Sequence, residues 1–244
     1  MQLLEASGII KLFGQLRALD GVDFAAAAGQ IHGLIGPNGS GKSTLLKCIT
    51  GAELPTAGRV AFEGVDVTAA PPPERARAGM GIKFQITSVL PGLTVFDNVL
   101  LALQARDGLR DLIFSRTRRK LTERVMDLLA RFQLVDRAGE VAGTLSHGQQ
   151  QWLEIAMALA PGPRLLLLDE PTAGMSLEER RITGRLLRPI IDSCSIVIVE
   201  HDLDFIRDIC DVLTVLDQGK VLATGTVAAI QESEKVKEVY LTRV

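Results

Sequence analysis

The sequence predicts an α/β fold with a largely parallel central sheet. Short apolar runs alternate with segments of helical periodicity, as they do when strands are covered by crossover helices. A stretch in the middle of the chain reads as helix after helix with no convincing strand, which predicts a helical insertion in that sheet. Its 244 residues, 47% hydrophobic and 23% charged, suffice to bury the core of one domain, or of a domain with a subdomain.

In chain order, residues 2–6, 18–24 and 58–62 read as β pieces joined by Gly-rich turns, a small antiparallel layer beside the main sheet. The clearest core strands are Ile31–Ile35, Leu165–Asp169 and 195–200. Between them, 95–105, 120–132 and 149–160 have helical periodicity; in the last, Trp152, Ile155, Ala156 and Leu159 form one face and Pro161 stops the helix. The expected division is 1–93 for the nucleotide-binding core with its antiparallel layer, 94–160 for the helical subdomain and 161–244 for the rest of the core.

A net charge of −2 gives no global basic field and argues against nucleic acid as a partner. Mean hydropathy is high at +0.22, yet charge, Gly or Pro interrupts every apolar run well short of the roughly 18 to 20 residues of a spanning helix. The start, MQLLEASGIIK, lacks a signal-peptide pattern, so a cytosolic chain is expected. Cys48, Cys194 and Cys210 have no metal-ligand spacing and are expected reduced and buried. The basic stretch RDGLRDLIFSRTRRK at 106–120 is either a solvated segment or a contact for a partner or anionic lipid.

The chemistry starts where Ile31–Ile35 runs into GPNGSGKST: Gly36, Pro37, Asn38, Gly39, Ser40, Gly41, Lys42, Ser43 and Thr44, followed by the helical face of Leu45, Leu46 and Ile49. Strand, GxxxxGK with Ser or Thr, helix is the phosphate cradle of a P-loop NTPase. Glycines let backbone amides turn toward phosphate, the helix start adds positive potential, Lys42 bridges the outer phosphates, and Ser43 can ligate Mg2+. ATP and Mg2+ are the implied ligands. Downstream, Leu165–Asp169 ends in two carboxylates: Asp169 suits the Mg2+ shell and Glu170 can polarise an attacking water. The strand 195–200 leads to His201, an imidazole placed to bond the γ-phosphate.

This set resembles the ATP-binding subunit of ABC transporters, a RecA-like P-loop core with an antiparallel β subdomain and an inserted helical subdomain. The resemblance rests on GPNGSGKS, Gln85 in KFQ, LSHGQ (Leu145, Ser146, His147, Gly148, Gln149), LLLLDEP and His201, in that order along essentially the whole chain. It implies that Glu170, His201 and Gln85 are catalytic and that Ser43, Gln85 and Asp169 hold Mg2+. It places an adenine-stacking aromatic at Phe13, which could equally be core. It implies a head-to-tail dimer in which the signature 145–149 of one subunit faces the ATP cradled by the other.

Two positions depart from the family pattern. His147 replaces the first glycine of LSGGQ, and Ser176 ends the loop AGMS where aspartate is usual. A φ > 0 requirement at 147 would cost about 1 kcal/mol. The stretches KLFGQLRALDGVDF, LTVFDNV, QQWLEIAMALA, VEHDLDFI and KVKEVYL are similar to importers of branched-chain amino acids and urea, and LSHGQ with QWLEI leans toward the urea branch. Such importers imply two transmembrane permeases, a second ABC ATPase or a second copy of this chain, a solute-binding protein acting indirectly, and a peripheral place on the cytoplasmic face of the inner membrane. Another amide or amino-acid solute, an exporter ATPase and a non-transport ABC ATPase are the alternatives; a P-loop kinase would have no use for LSHGQ.

Overall fold

Two sheets lie behind the site in the computed structural model, which describes residues 2–83, 88–105 and 117–242. The antiparallel one has the order β2-β1-β4-β5, from β1 (Gln2–Phe13), β2 (Leu16–Ala27), β4 (Ala57–Phe62) and β5 (Val65–Asp66). The larger one has the order β10-β9-β3-β8-β7-β6, from β3 (Ile31–Ile35), β6 (Met80–Lys83), β7 (Leu165–Asp169), β8 (Ser195–Val199), β9 (Val212–Asp217) and β10 (Lys220–Thr226). All its neighbours pair parallel except β9 and β10.

Successive residues of a strand point to opposite faces, and here both faces are covered. Ile31, Ile35, Leu166, Leu168, Ile196 and Ile198 join the core on the side of the helical middle region. Leu34, Leu165, Leu167, Val197 and Val199 join the other, with the antiparallel layer and α1 (Lys42–Thr50). Coverage on both sides is why these strands are largely apolar; the polar residues they do carry, His32, Asp169 and Ser195, are themselves buried.

The first two β pieces extend well beyond 2–6 and 18–24, because β1 and β2 pair as one long hairpin with several register irregularities. Core strands β6, β9 and β10 add to the three clearest ones. β6 is short and contains Gly81, where a Cβ would fall 2.8 Å from Ala158 O and from Pro163 Cγ; the close approach requires a weak strand former. β9 and β10 meet through Gln218 and Gly219, both at positive φ (48° and 75°), the requirement of a tight type I′ hairpin. Glu63 and Gly64 repeat it between β4 and β5, with φ 51° and 77°.

The middle region holds α3 (Val95–Gln104), α4 (Thr117–Arg131) and α5 (His147–Leu159). Among the described residues of 94–160 there is no strand, only an isolated bridge between Thr94 and Val141. α5 starts two residues before the expected 149: Ser146 Oγ accepts from Gln149 N and Gln149 Oε1 accepts from Ser146 N, a reciprocal cap. Residues 106–116, most of the basic stretch, lie outside the described residues. The chain closes with α6 (Leu177–Leu187), α7 (Leu203–Ile209), α8 (Val227–Glu232) and α9 (Glu234–Thr242). No helix among the described residues is long and apolar enough to cross a membrane. Cys48, Cys194 and Cys210 are unbridged and buried; burial alone pushes the Cys194 thiol up to about 12.

A buried guanidinium fixes the far end of α1. Arg75, on α2 (Pro72–Ala78), is fully buried and donates to Cys48 O and Ile49 O at 2.8 and 2.6 Å, and to Ala70 O and Thr68 O at 2.8 Å each. It satisfies carbonyls that the last turn of a helix leaves open.

Candidate active site

The cradle Gly36–Thr44 bridges β3 and α1, and its Gly36 and Gly41 are sterically required. A Cβ on Gly36 (φ 149°) would overlap Leu216 O, and one on Gly41 (φ 106°) would fall 2.9 Å from Ala18 O. The loop is pinned outside by Gly219 N donating to Ser40 O at 2.9 Å, and inside by Lys42 Nζ donating to Gly36 O at 2.8 Å and Pro37 O at 3.0 Å. Asn38 and Ser43 are exposed at its mouth, with Pro37 and Thr44 half-buried.

Two strands bring acid to this loop. β7 ends at Asp169, which is buried; burial raises its carboxyl above the ordinary range and the Glu170 charge adds to this, against Lys83 and Lys42. Asp169 Oδ1 and Ser40 Oγ have no hydrogen-bond partner among the described residues. Burial also lowers the Lys42 ammonium, opposed by Glu170 and Asp169. A buried carboxylate oxygen and a buried ammonium beside a glycine loop have the chemistry that suits a polyanion with its cation.

Glu170 follows with φ +46°, its amide donating to Val199 O at 2.9 Å. A glutamate in the left-handed region is strained, and strain of this kind gathers where a side chain must be aimed. His201, after β8, has Nδ1 3.9 Å from both Glu170 Oε1 and Glu200 Oε2, and its side chain is 62% exposed. Glu200, unassigned by the sequence reading, is buried and ties the two strand ends together: Oε1 accepts from Thr172 N (2.9 Å) and Thr172 Oγ1 (2.6 Å), Oε2 from His201 N. The signal was available, since a carboxylate closing an apolar strand needs donors.

Phe13 sits at the end of β1, 45% exposed, which removes it from the core. Lys11 Nζ lies 4.9 Å from its ring centroid and is held by Glu53 at 2.8 Å, a cation–π contact on one face of the ring.

The signature is brought to a different neighbour. Among the described residues its hydrogen bonds stay local or reach the loop 173–176, and none goes to the cradle. Leu145 is buried, Ser146 caps α5, and Gly148 packs against the Glu179 carboxylate, which any Cβ there would strike. His147 has no positive φ, so the expected strain does not arise. Its Nε2 donates to Ala173 O at 2.9 Å. Ser176 caps α6 and donates to Glu179 Oε2 at 2.9 Å. Gln85 lies outside the described residues, but Lys83 and Ser88 on either side of 84–87 are both bound by Glu154 of α5, a second carboxylate that the sequence reading passed over.

The ABC transporter family model matches residues 19–173. The chain belongs to the ABC transporter family. The methionine import ATP-binding protein MetN of Symbiobacterium thermophilum is 37% identical over 233 residues, covering 92% of this chain and 68% of that protein. The high-affinity branched-chain amino acid transport ATP-binding protein BraF of Pseudomonas aeruginosa is 33% identical over 248 residues, 98% of this chain and 97% of its own. Among solved structures, an ATP-binding cassette of an ABC transporter in its ADP conformation matches with a TM-score of 0.89 at 31% identity, covering 99% of both chains. As an ABC transporter subunit, the chain has the ABC ATPase fold, binds ATP and hydrolyses it in the service of transport. The family implies dimerisation and membrane permease partners.

Proposed function

We propose that this subunit powers an importer of the branched-chain amino acid and urea type. The observation that carries the chemistry is Glu170, held at positive φ at the end of β7 with His201 3.9 Å away. The γ-phosphate of ATP enters the cradle 36–44 and competes with Gly36 O and Pro37 O for the Lys42 ammonium. Phe13 offers its free face to adenine. Mg2+ would suit the oxygen donors Ser43 and Asp169, together with Gln85, and would supply charge neutralisation on the phosphates. Asp169 Oδ1, buried without a partner among the described residues, fits that role. Glu170 orients the attacking water and accepts its proton, while His201 donates to the γ-phosphate.

In this reading Ser146, the Gly148 backbone and the start of α5 face the ATP of a partner subunit, which is either a second ABC ATPase or a second copy. Binding energy unique to the closed dimer then drives the permeases, and hydrolysis releases it. The region 94–160, together with Gln85, carries the motion to two permeases. A solute-binding protein delivers the solute from the far side, and the subunit sits on the cytoplasmic face of the inner membrane. BraF, a high-affinity branched-chain amino acid transport ATP-binding protein, aligns with 98% of this chain at 33% identity, which supports that class.

The test is Glu170→Gln: ATP binding persists and hydrolysis stalls, and undiminished turnover would remove Glu170 from the reaction. Affinity purification from native membranes in mild detergent should recover two permeases and an ATPase partner; recovery of ribosomes or DNA factors instead would reject transport.

A further inference from the structure

The two departures from the family pattern, His147 and Ser176, belong to one contact network. From the N-terminal turn of α5, His147 Nε2 donates to Ala173 O at 2.9 Å. The same ring covers Gly174, whose φ is +73°; a Cβ there would stand 3.0 Å from Nε2 and 3.1 Å from Cδ2. On the other side Glu179 packs against Gly148 and accepts from Ser176 N and Ser176 Oγ, each at 2.9 Å. Those two bonds hold the Glu179 carboxyl below the ordinary range, with a smaller contribution from nearby His147. Signature and loop are thus joined twice: by an imidazole reaching from the signature to the loop, and by a carboxylate anchored to Ser176 and pressed on the signature. A glycine at 147 would have neither the donor nor the ring.

We propose that His147 is a positioning residue that latches the signature to the 173–176 loop of its own subunit, so that both meet the partner's ATP as one rigid piece. This rests on the reading that the signature faces a nucleotide held in trans. Gly174 is the matching half of the latch, because a side chain there would be forced onto the imidazole.

The latch itself is tested by amide hydrogen exchange on the full-length free subunit. Exchange at 174–176 is expected to quicken about tenfold or more in His147→Ala, and to return near wild type in His147→Gln, which keeps a donor at similar reach. Gly174→Ala approaches the latch from the loop side and is expected to loosen the same amides, and melting temperatures identify any variant that fails to fold. Unchanged exchange in a folded His147→Ala overturns the latch.

Its role is tested in the assembled transporter. His147→Ala should lose cooperativity in ATP and several-fold in kcat, with ATP affinity of the free subunit unchanged and His147→Gln restoring both. Loosened amides with wild-type cooperativity and kcat overturn the role in turnover. Ser146→Arg separates the underlying reading: normal turnover in that variant rejects a signature facing ATP in trans and leaves the exchange result standing.

Discussion

Glu154, in the middle of the signature helix, lies 3.5 Å from Lys83 at the end of β6, with both side chains 1% exposed. Its Oε1 also accepts from Ser88 N at 2.6 Å, so one carboxylate holds both residues that flank 84–87. Burial lowers the Lys83 ammonium, and Glu154 opposes that shift. Glu154→Ala removes this counter-charge and should cost about 3–5 kcal/mol in urea unfolding. The apolar pair Lys83→Met with Glu154→Leu should recover part of that loss, because breaking a buried ion pair costs more than replacing it.

Glu170→Gly separates stability from activity. Glycine adopts positive φ without the penalty of about 1 kcal/mol that glutamate carries there. The variant should unfold at equal or slightly higher denaturant concentration while losing ATP turnover. A large loss of stability would mean that Glu170 is held for structural reasons.

Acid should destabilise the protein through His32. Its ring is buried against Phe24, centroids 4.8 Å apart, with Nε2 2.8 Å from Thr214 Oγ1, and burial lowers it to about 4. The unfolded chain therefore binds a proton first. Stability from this group is fully present above the ordinary value of 6.5 and is lost as pH falls toward about 4. The total is on the order of 3 kcal/mol. His32→Leu should flatten this part of a stability–pH profile; Thr214 Oγ1 keeps Thr224 Oγ1 as a partner at 3.0 Å.

Arg75→Met should remove a charged donor from four carbonyls, of which Cys48 O keeps Gly51 N at 3.4 Å, and cost about 3–5 kcal/mol by thermal or chemical unfolding, with ATP affinity falling as α1 frays. Arg75→Lys should rescue little, since a compact ammonium cannot span carbonyls that the planar guanidinium reaches on several sides.

What was legible in the sequence follows from how locally each feature is determined. Ile31–Ile35 and Leu165–Asp169 match the structure residue for residue, because strands covered on both faces carry a dense apolar signal. The cradle was equally plain, since GPNGSGKST lies in one contiguous stretch between a strand and a helix. β6 and β10 were less visible, one thinned by Gly81 and the other only partly covered, whereas β9, VLTVLD, carries an apolar run that the sequence reading passed over. Glu154, Glu200 and Arg75 read as ordinary charges in sequence. Their importance depends on partners distant in the chain, such as Thr172 for Glu200, Ser88 for Glu154 and Cys48 for Arg75, and only the fold supplies those. His147 looked like a strained substitution and is a helical residue with a distant hydrogen bond.

The strand order has a consequence for how the enzyme comes into being. Cradle and acidic strand sit on β3 and β7, which do not touch; β8, made after both, pairs with each and lies between them. During synthesis a chain that has already produced its phosphate loop and both carboxylates still lacks the wedge that sets them in register. Assembly of the site waits on Ser195–Val199, a late and long-range step, so a growing or truncated chain that stops before this strand has a phosphate loop without a hydrolytic centre. Competence to consume ATP thus waits on the one strand that joins both halves of the site.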